Sequence, residues 1–397
     1  MNKKKLLFLI PTLNSGGAEK SLLNLLDLLD YRKYEVDMII LSNSGTFLSF
    51  LNKNVNLVNA NVFGYPFWEN SKKKLKYLFM NRHFIIILRL MYFRIFKNYN
   101  TREIEQQNYT IIKNSIYNYK KSYDCAISYL ENVSNYLCID KVNARKKILW
   151  MHTDYVEAHL CKKIDEYYFQ KADYLCTISN LCKQKLCSVF NQKIQEKIVV
   201  INNPLNVKKI LKKSTEEMEK EFSEIKSLKI VTVARACESK GIHLVIETCI
   251  ELKKIYNDFL WVFVGRLPKN IVDLNNKIKI LGIEKNLLIV GEQTNPYKFM
   301  KWADMYVHPS LLEGKSIAIE EAKILNKKII LTPFDTAYSH IFDYSKAIIS
   351  PTFNSVDLFN SILSMYQNDY DYELNSGYIN NSYDKVIVDK FESLIDR

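Results

Sequence analysis

The second half of the chain constrains the fold most strongly, because short apolar runs alternate there with segments of helical spacing. This alternation is typical of β-α-β units, whose strands form one parallel sheet. We predict six strands: Leu228–Ala234, Leu260–Gly265, Leu287–Gly291, Met305–Pro309, Lys328–Thr332 and Ala347–Ser350. The second half is therefore predicted to be a Rossmann-like domain.

The first half shows the same pattern less regularly. We predict seven strands there: Lys5–Ile10, Glu35–Leu41, Val55–Val58, Tyr123–Tyr129, Lys147–Met151, Tyr174–Ile178 and Lys197–Ile201. A basic helical insertion, about residues 71–120, separates the third strand from the fourth. Open α/β sheets bind ligands at the carboxyl ends of their strands. Two such domains predict a ligand cleft between them.

The length of 397 residues suits two domains. The charged, glycine-poor segment 206–227 is predicted to be the linker region. We place an N-terminal domain at 1–205 and a C-terminal domain at 206–375. Residues 376–397 contain an amphipathic helical pattern, which we expect to fold back to the first domain.

Composition excludes several classes of protein. With 48% hydrophobic and 25% charged residues, the composition is that of a globular protein, neither disordered nor membrane-spanning. Its eight cysteines contain no C-x-x-C pair, which argues against a disulfide framework or zinc site and favours a reduced cytosol. The basic and apolar start resembles a signal peptide, but Pro11 interrupts its short apolar run. We therefore predict a buried strand there.

The formal net charge of +13 favours anionic partners, and much of it lies in residues 71–102. Arg82, Arg89 and Arg94 interrupt any apolar run long enough to cross a bilayer. We predict one amphipathic helix, rich in basic and aromatic residues. It either lies on an anionic membrane surface or packs on its own domain with a solvated basic face. Nucleic acid is not an expected partner, because no nucleic-acid motif accompanies the charge.

The segment "EGKSIAIEEA" follows a predicted strand and opens a predicted helix. The amides of Gly314, Lys315 and Ser316 are expected to attract a phosphate at the helix N-terminus. Glu313 and Glu321 flank these amides, and their carboxylates can accept hydrogen bonds from pairs of hydroxyl groups. A nucleotide-sugar fits this arrangement, because it carries a sugar on one side of its phosphates and a ribose on the other.

Two further loops join a predicted strand to a predicted helix. In "VARACESKG", Arg235 can donate parallel hydrogen bonds to a diphosphate and Lys240 can add a point charge. Surface charge in a loop is the alternative, because basic residues are common at such positions. In "PTLNSGGAEK", Gly16 and Gly17 form a Gly-Gly pair, which often marks only a tight turn. Neither a G-x-G-x-x-G pattern nor a Walker P-loop is present.

In this order, the three loops resemble those of the retaining glycosyltransferases of family 4, which have the GT-B fold of two Rossmann-like domains facing across a cleft. The R-x4-K pattern is matched by Arg235 and Lys240, and the E-x7-E pattern by Glu313 and Glu321. The resemblance implies that the first Glu faces the donor sugar and the second holds the ribose hydroxyls. The Arg and the Lys would bind the diphosphate, and the Gly-Gly loop would belong to the donor site.

The resemblance also implies a role for His152 in "LWMHTDY", since similar members carry a histidine near the reacting carbon of the sugar. Taken alone, a single histidine is more often a structural hydrogen-bonding residue. Asp154 is a candidate for acceptor binding. Two features depart from the family pattern: Ala234 replaces the usual glycine, and "ACES" replaces an apolar-proline turn.

A possible D-x-D metal motif occurs in "DYDYE", Asp369 to Glu373. Its surroundings are polar and rich in Asn and Tyr, so we predict a solvated loop there. No metal ligand is assigned.

We therefore expect a metal-independent retaining enzyme that moves a sugar from a UDP-linked donor to a glycan or lipid-linked acceptor. The expected setting is cell-surface polysaccharide synthesis (capsule, O-antigen or exopolysaccharide) in the cytoplasm, peripheral to the inner face of the membrane. No cofactor is expected, because the nucleotide-sugar is a substrate. The alternative is a non-catalytic nucleotide-sugar-binding partner subunit. A glycosidase is disfavoured, because its two carboxylates must face each other across a bond.

Overall fold

The computed structural model describes residues 2–14, 16–42, 45–67, 71–96, 100–223, 228–256, 258–268, 270–367 and 382–396. The chain divides into two compact units, residues 1–204 with 385–397, and residues 205–384. The first division lies one residue from the predicted boundary at 205/206. Both the predicted boundary at 375/376 and the D-x-D segment at 369–373 lie outside the described residues.

The described part of the first unit contains a parallel sheet in the order β3-β2-β1-β4-β5-β6-β7. Its strands are β1 Lys4–Ile10, β2 Tyr34–Ile40, β3 Val55–Asn59, β4 Tyr119–Ser128, β5 Val142–Met151, β6 Tyr174–Thr177 and β7 Ile198–Val200. All seven predicted strands are present. β4 and β5 begin four and five residues earlier than predicted, because their first residues are mostly polar and carry no apolar run.

The described part of the second unit contains a parallel sheet in the order β10-β9-β8-β11-β12-β13. Its strands are β8 Leu228–Val233, β9 Phe259–Val264, β10 Leu287–Gly291, β11 Met305–His308, β12 Lys328–Leu331 and β13 Ala347–Ile349. Strand order reverses between β8 and β11, which makes this pair the topological switch point of a Rossmann-like sheet. The predicted class of two Rossmann-like α/β domains is confirmed.

Helices connect the strands. In the described part of the chain the α-helices are α1 Gly17–Leu28, α2 Ser71–Met80, α3 Phe84–Phe96, α4 Thr101–Ile112, α5 Val133–Lys141, α6 Lys162–Lys171, α7 Asn180–Val189, α8 Gln192–Gln195, α9 Val207–Ser214, α10 Lys220–Ser223, α11 Ile242–Ile255, α12 Ile271–Ile280, α13 Pro296–Trp302, α14 Ile317–Ile324, α15 Ala337–Ile341, α16 Ser355–Gln367 and α17 Ser382–Asp396. None of these described helices combines the length and the apolar character that crossing a membrane requires.

Central strands are buried on both faces, which is why they appear in the sequence as continuous apolar runs. Along β9, Trp261 and Phe263 enter one apolar cluster, whereas Val262 and Val264 enter the cluster on the other face. All six residues of β9 are buried. Because side chains alternate along a strand, the core of the second unit consists of two apolar clusters, one on each face of the sheet.

The described part of the predicted C-terminal segment is α17, whose residues from 385 onward belong to the first unit. The ring of Phe391 is fully buried and lies 6.1 Å from the rings of both Phe8 and Trp150, measured between centroids. At the end of the helix, Lys4 pairs with Asp396 at 2.6 Å. The apolar contact and the ion pair fix α17 against the sheet of the first unit.

The predicted linker at 206–227 is wrong in its described part, which contains α9 and α10. Asn206 caps α9 by accepting a hydrogen bond from the amide of Lys209. Val207 and Ile210 are buried in the core of the second unit. The many lysines of this segment suggested a linker, but they lie around a helix whose apolar positions form one face.

The single helix predicted at 71–102 is also wrong. The described residues form two helices, α2 and α3, and Arg82 between them has a φ of 59°, a left-handed conformation that ends α2. Leu78 packs into the core of the first unit, while Phe79 and Ile85 are 62% and 70% exposed. One face of the insertion therefore packs on its own domain, and another face leaves apolar side chains in solvent.

At the switch point of the second sheet, the backbone leaves no room for a side chain at Gly241. Its φ is 71°, and a Cβ at this position would lie 1.8 Å from the carbonyl oxygen of Pro309. The chain after β8 therefore passes directly against the chain after β11. A side chain here meets both an unfavourable backbone conformation and fixed backbone atoms.

We predict that Gly241→Ala destabilises the protein by about 2 kcal/mol or more, because the left-handed conformation and the contact with Pro309 both oppose a Cβ. Gly314→Ala is the matched control, since no described heavy atom lies within 4 Å of a Cβ there. We expect that control to change stability by less than about 0.5 kcal/mol. Urea denaturation of both variants measures the difference, and equal midpoints would contradict the steric argument.

Candidate functional site

The candidate site lies at the switch point of the second sheet, where the β8 loop (234–241) and the β11 loop (309–316) leave the same edge. β8 and β11 pair only at Met305↔Ile230 and Tyr306↔Val231 among the described residues. Past these pairs, the hydroxyl of Thr232 donates to the carbonyl of Val307 at 2.7 Å. The strands therefore separate toward their carboxyl ends, as they do at ligand sites of open α/β sheets.

Backbone contacts join the two loops directly. The carbonyl of Ser239 in the β8 loop accepts from the amide of Leu311 at 3.0 Å and from the hydroxyl of Ser310 at 3.1 Å. The hydroxyl of Thr336 donates to the carbonyl of Glu313 at 2.9 Å. These bonds hold the β11 loop at both ends and fix the position of the carboxylate that it carries.

Glu313 is the centre of the site. Its Oε1 forms an ion pair with the ammonium of Lys240 and lies 2.8 Å from Nε2 of His308. The hydroxyl of Tyr306 lies 2.8 Å from Nδ1 of the same histidine. If Tyr306 donates to Nδ1, the proton of the imidazole is on Nε2 and is donated to Glu313, which satisfies both contacts.

The charges in this cluster follow from burial and hydrogen bonding. Burial raises the pKa of Glu313, but the hydrogen bond and charge of His308 and the charge of Lys240 lower it to about 2. Burial lowers the pKa of His308, against the opposing effect of Glu313. At neutral pH Glu313 is therefore a carboxylate.

His308 was not predicted as a site residue. It ends the apolar run "MYVHP", so the sequence analysis assigned it to a buried strand. The signal that could have found it is its position, because it closes the strand immediately before the loop that carries Glu313.

A second histidine, His340, holds the start of α14. The amide of Ser316 lies 3.4 Å from Nε2 of His340, whose Nδ1 lies 3.4 Å from Oε1 of Glu320. The helix itself begins at Ile317. Of the three predicted amide donors, Ser316 is therefore engaged by His340, while Gly314 and Lys315 precede the helix.

The remaining predicted residues of the second unit differ in exposure. Glu321 is fully buried in α14, and the hydroxyl of Tyr297 donates to its Oε1 at 3.2 Å. Arg235 is exposed in the β8 loop, and its side chain forms no salt bridge with a described residue. The structure thus brings Lys240 and Glu313 into contact, with Arg235 exposed in the same loop as Lys240.

His152 follows β5 in the first unit, as predicted from the sequence. Its ring lies 4.9 Å from the ring of Tyr129 and stacks on Trp150 at 6.0 Å, measured between centroids. Burial lowers its pKa to about 3, although a hydrogen bond to the backbone of Tyr129 opposes this shift. Its Nε2 is buried and has no hydrogen-bond partner among the described residues. The imidazole is neutral and keeps one unused nitrogen.

Asp154 and the Gly-Gly pair have local structural partners. Asp154 accepts from the amide of Val156 at 3.0 Å and forms an ion pair with Lys185. Gly16 caps α1, and a Cβ there would lie 2.2 Å from the carboxylate of Glu19. A carboxylate of the chain thus already lies at this helix N-terminus.

The shifted pKa of Glu313 predicts a pH dependence of stability. Because the folded-state pKa lies below the unperturbed value of 4.5, ionised Glu313 stabilises the fold above pH 4.5, and this contribution is lost as the pH falls toward 2. We expect Glu313→Gln to cost up to about 3 kcal/mol at pH 7 and progressively less between pH 4.5 and 2. Urea denaturation across this range measures the cost.

Glu247→Gln is the matched control, because it removes the same charge from an exposed position of α11. Its cost should stay below about 0.5 kcal/mol at every pH. A cost of Glu313→Gln that does not change with pH would contradict the role assigned to the ionised carboxylate.

Comparisons with known proteins find similar sequences and similar structures. Residues 213–385 match the family "Glycosyl transferases group 1". An uncharacterized glycosyltransferase of Methanocaldococcus jannaschii is 27% identical over 205 residues, which are 49% of this chain and 50% of the relative. The N-acetylgalactosamine-N,N'-diacetylbacillosaminyl-diphospho-undecaprenol 4-alpha-N-acetylgalactosaminyltransferase of Campylobacter jejuni is 24% identical over 177 residues, 44% of this chain and 46% of that protein. The chain spans about half the length of the curated relatives it matches.

Solved structures match over nearly the whole chain. Anabaena HepE in complex with UDP has a TM-score of 0.65 and 13% sequence identity, and the match covers 99% of both chains. At this identity the likeness establishes the fold. The chain therefore has the GT-B fold, and residues 213–385 are similar to the glycosyl transferases group 1.

Proposed function

We propose that this protein is a retaining glycosyltransferase of family 4, which transfers a sugar from a UDP-linked donor to a glycan or lipid-linked acceptor in cell-surface polysaccharide synthesis. The observation that carries the proposal is the contact between Lys240, Glu313 and His308 at the switch point of the second sheet. The UDP bound to Anabaena HepE and the diphospho-undecaprenol in the name of the Campylobacter relative support the donor and acceptor classes.

In this proposal the β8 loop binds the donor diphosphate. Arg235 is exposed and can donate two parallel hydrogen bonds, while Lys240 adds a charge whose position Glu313 already fixes. Both cations stabilise the negative charge that develops on the leaving diphosphate, an electrostatic contribution that is usually large. Because Arg235 and Lys240 would stabilise the charge of the diphosphate, we assign no step to a metal ion.

Carboxylates hold the sugar rings of the donor in the same proposal. Glu313 accepts hydrogen bonds from hydroxyl groups of the transferred sugar, and Glu321 accepts them from the ribose. His152 keeps the role that the resemblance implies for it, as a neutral imidazole toward the reacting sugar. The acceptor hydroxyl attacks on the face from which the diphosphate departs, so that configuration is retained without a covalent nucleophile on the protein.

Kinetics of two β8-loop variants test the proposal. We expect Arg235→Ala and Lys240→Ala each to lower kcat/KM by about 100-fold, because each removes a group that stabilises the developing charge. Lys254→Ala, an exposed position of α11, is the control and should change kcat/KM less than about twofold. The measurement is sugar transfer and UDP release with a panel of UDP-sugars.

The same panel distinguishes an enzyme from a non-catalytic nucleotide-sugar-binding subunit. A subunit of that kind would be stabilised thermally by UDP or a UDP-sugar but would form no product with any donor. Activity within a few-fold of wild type in both β8-loop variants would contradict the assignment of the diphosphate site.

We further propose that α2 and α3 bind the inner face of an anionic membrane. Apolar side chains on both helices are exposed, among them Met80 at 69% and Leu88 at 67%. Lysines of α2 are exposed beside them: Lys72, Lys73 and Lys76. Exposed apolar groups next to basic groups are typical of helices that lie in a membrane interface.

Replacing these three exposed lysines with Gln should weaken binding to phosphatidylglycerol vesicles by about 100-fold, because each basic residue near such a surface contributes about 1 kcal/mol. Sedimentation with vesicles measures the loss, which should shrink at high salt. A charge-matched control replaces three exposed lysines of the second unit, Lys208, Lys212 and Lys254. Equal sedimentation of both triple variants would contradict this proposal.

A further inference from the structure

The first unit contains a cavity of about 750 Å³ beneath the insertion helices. It is bounded by α2, α3 and α4 and by the residues that follow β1 and β4. Most of its wall is apolar, including Phe67, Leu78, Ile87, Leu90, Tyr109 and Ile112. Its volume is in the range of pockets that bind small ligands. Neither the β8 loop nor the β11 loop contributes to it.

Two cations and two carboxylates also lie in the wall of this cavity. Lys74 and Arg102 both line it, and neither forms a salt bridge with a described residue. Burial lowers the pKa of Lys74, while the charge of Glu105 opposes that shift. Glu105 accepts a hydrogen bond from the side-chain amide of Asn132 at 2.7 Å. Glu105 lines the cavity as well, and its carboxylate interacts electrostatically with both cations without a salt bridge. The cavity therefore combines apolar surface with two cations that form no salt bridge with a described residue.

The polar end of the cavity lies beside His152. Asn132 has a φ of 76°, an uncommon conformation for a residue with a side chain, and its buried amide oxygen has no hydrogen-bond partner among the described residues. The neighbouring Glu131 also lines the cavity and accepts from the backbone amide of His152 at 3.0 Å. The cavity wall therefore contacts the backbone of His152 through Glu131. Backbone strain of this kind is often retained at functional sites.

We propose that the cavity binds the first part of the apolar chain of a phosphate-bearing lipid, with the phosphate at Lys74 and Arg102. The apolar wall suits a hydrocarbon chain better than a saccharide, whose hydroxyl groups would be buried without partners. The two cations match an anionic phosphate. The same two helices, α2 and α3, carry the exposed apolar side chains that we propose contact a membrane. This proposal rests on the proposed function, in which the acceptor is carried on a lipid.

Farnesyl phosphate is the probe, because it joins a short apolar chain to a single phosphate. Isothermal titration calorimetry with the full-length protein, below the aggregation concentration of the probe, should show binding. Inorganic phosphate and farnesol should each bind at least about tenfold more weakly, since each supplies only half of the contacts.

Two substitutions on α3 separate the cavity from the membrane surface. Leu90→Trp fills the cavity and should weaken probe binding at least about tenfold, whereas Leu88→Trp adds the same side chain at a position that is 67% exposed and should not. Lys74→Gln should also weaken binding about tenfold. Lys74→Gln changes a partly exposed side chain, so it still tests the proposal if Leu90→Trp does not fold. Circular dichroism and thermal denaturation would show whether each variant folds.

The proposal is overturned if wild type does not bind farnesyl phosphate, or if neither Leu90→Trp nor Lys74→Gln weakens binding. It is also overturned if Arg235→Ala abolishes binding, because the probe would then occupy the donor site of the second unit. Probe binding that depends on Leu90 and Lys74 supports the lipid site even if no sugar is transferred. Failure of the proposed transferase function is therefore distinguishable from failure of this inference.

Discussion

The largely buried carboxylate of Glu313, whose side chain is 12% exposed, is the constraint on which the candidate site depends. A carboxylate in this position is costly unless charged and hydrogen-bonded partners compensate for the lost water, and Lys240 and His308 do so at the same oxygen. Lys240 belongs to the β8 loop, whereas Glu313 belongs to the β11 loop and His308 ends β11. Lys240 can therefore compensate the charge of Glu313 only if the two loops meet at the sheet edge. The close passage of Gly241 past Pro309 makes this meeting sterically possible. Arg235 is then exposed at the carboxyl edge of β8.

The sequence predicted the strands well because strands buried on both faces must be continuously apolar, as β9 is. It predicted helix packing less well. The segment at 206–227 contains many lysines, and its apolar positions reveal a packed face only when α9 is placed against a core. Likewise, helical periodicity continued through Arg82, whose left-handed conformation divides the insertion into α2 and α3. Local periodicity identifies a helix but does not identify the surface that it covers.

The candidate site shows a similar limit. Charge and spacing singled out Lys240 and Glu313 as separate ligand-binding residues, and no one-dimensional pattern revealed that they contact each other. His308 was hidden within an apolar run, since a histidine that serves a neighbouring carboxylate has no spacing rule of its own. Glu321 was found by its motif, but its complete burial against Tyr297 depends on α13, which is distant in sequence. The roles of these residues toward a ligand remain predictions.

The ion pair between Lys240 and Glu313 also has a consequence for the proposed reaction. A diphosphate that attracts Lys240 competes with Glu313 for the same ammonium, so donor binding would weaken one support of the carboxylate. The other support is His308, which lies at the same oxygen of Glu313 and whose ring Tyr306 contacts from the opposite side. Loss of the cation would raise the pKa of Glu313 from its low value and strengthen its acceptance of a sugar hydroxyl. In this proposal, binding of the diphosphate prepares the carboxylate for the sugar attached to it.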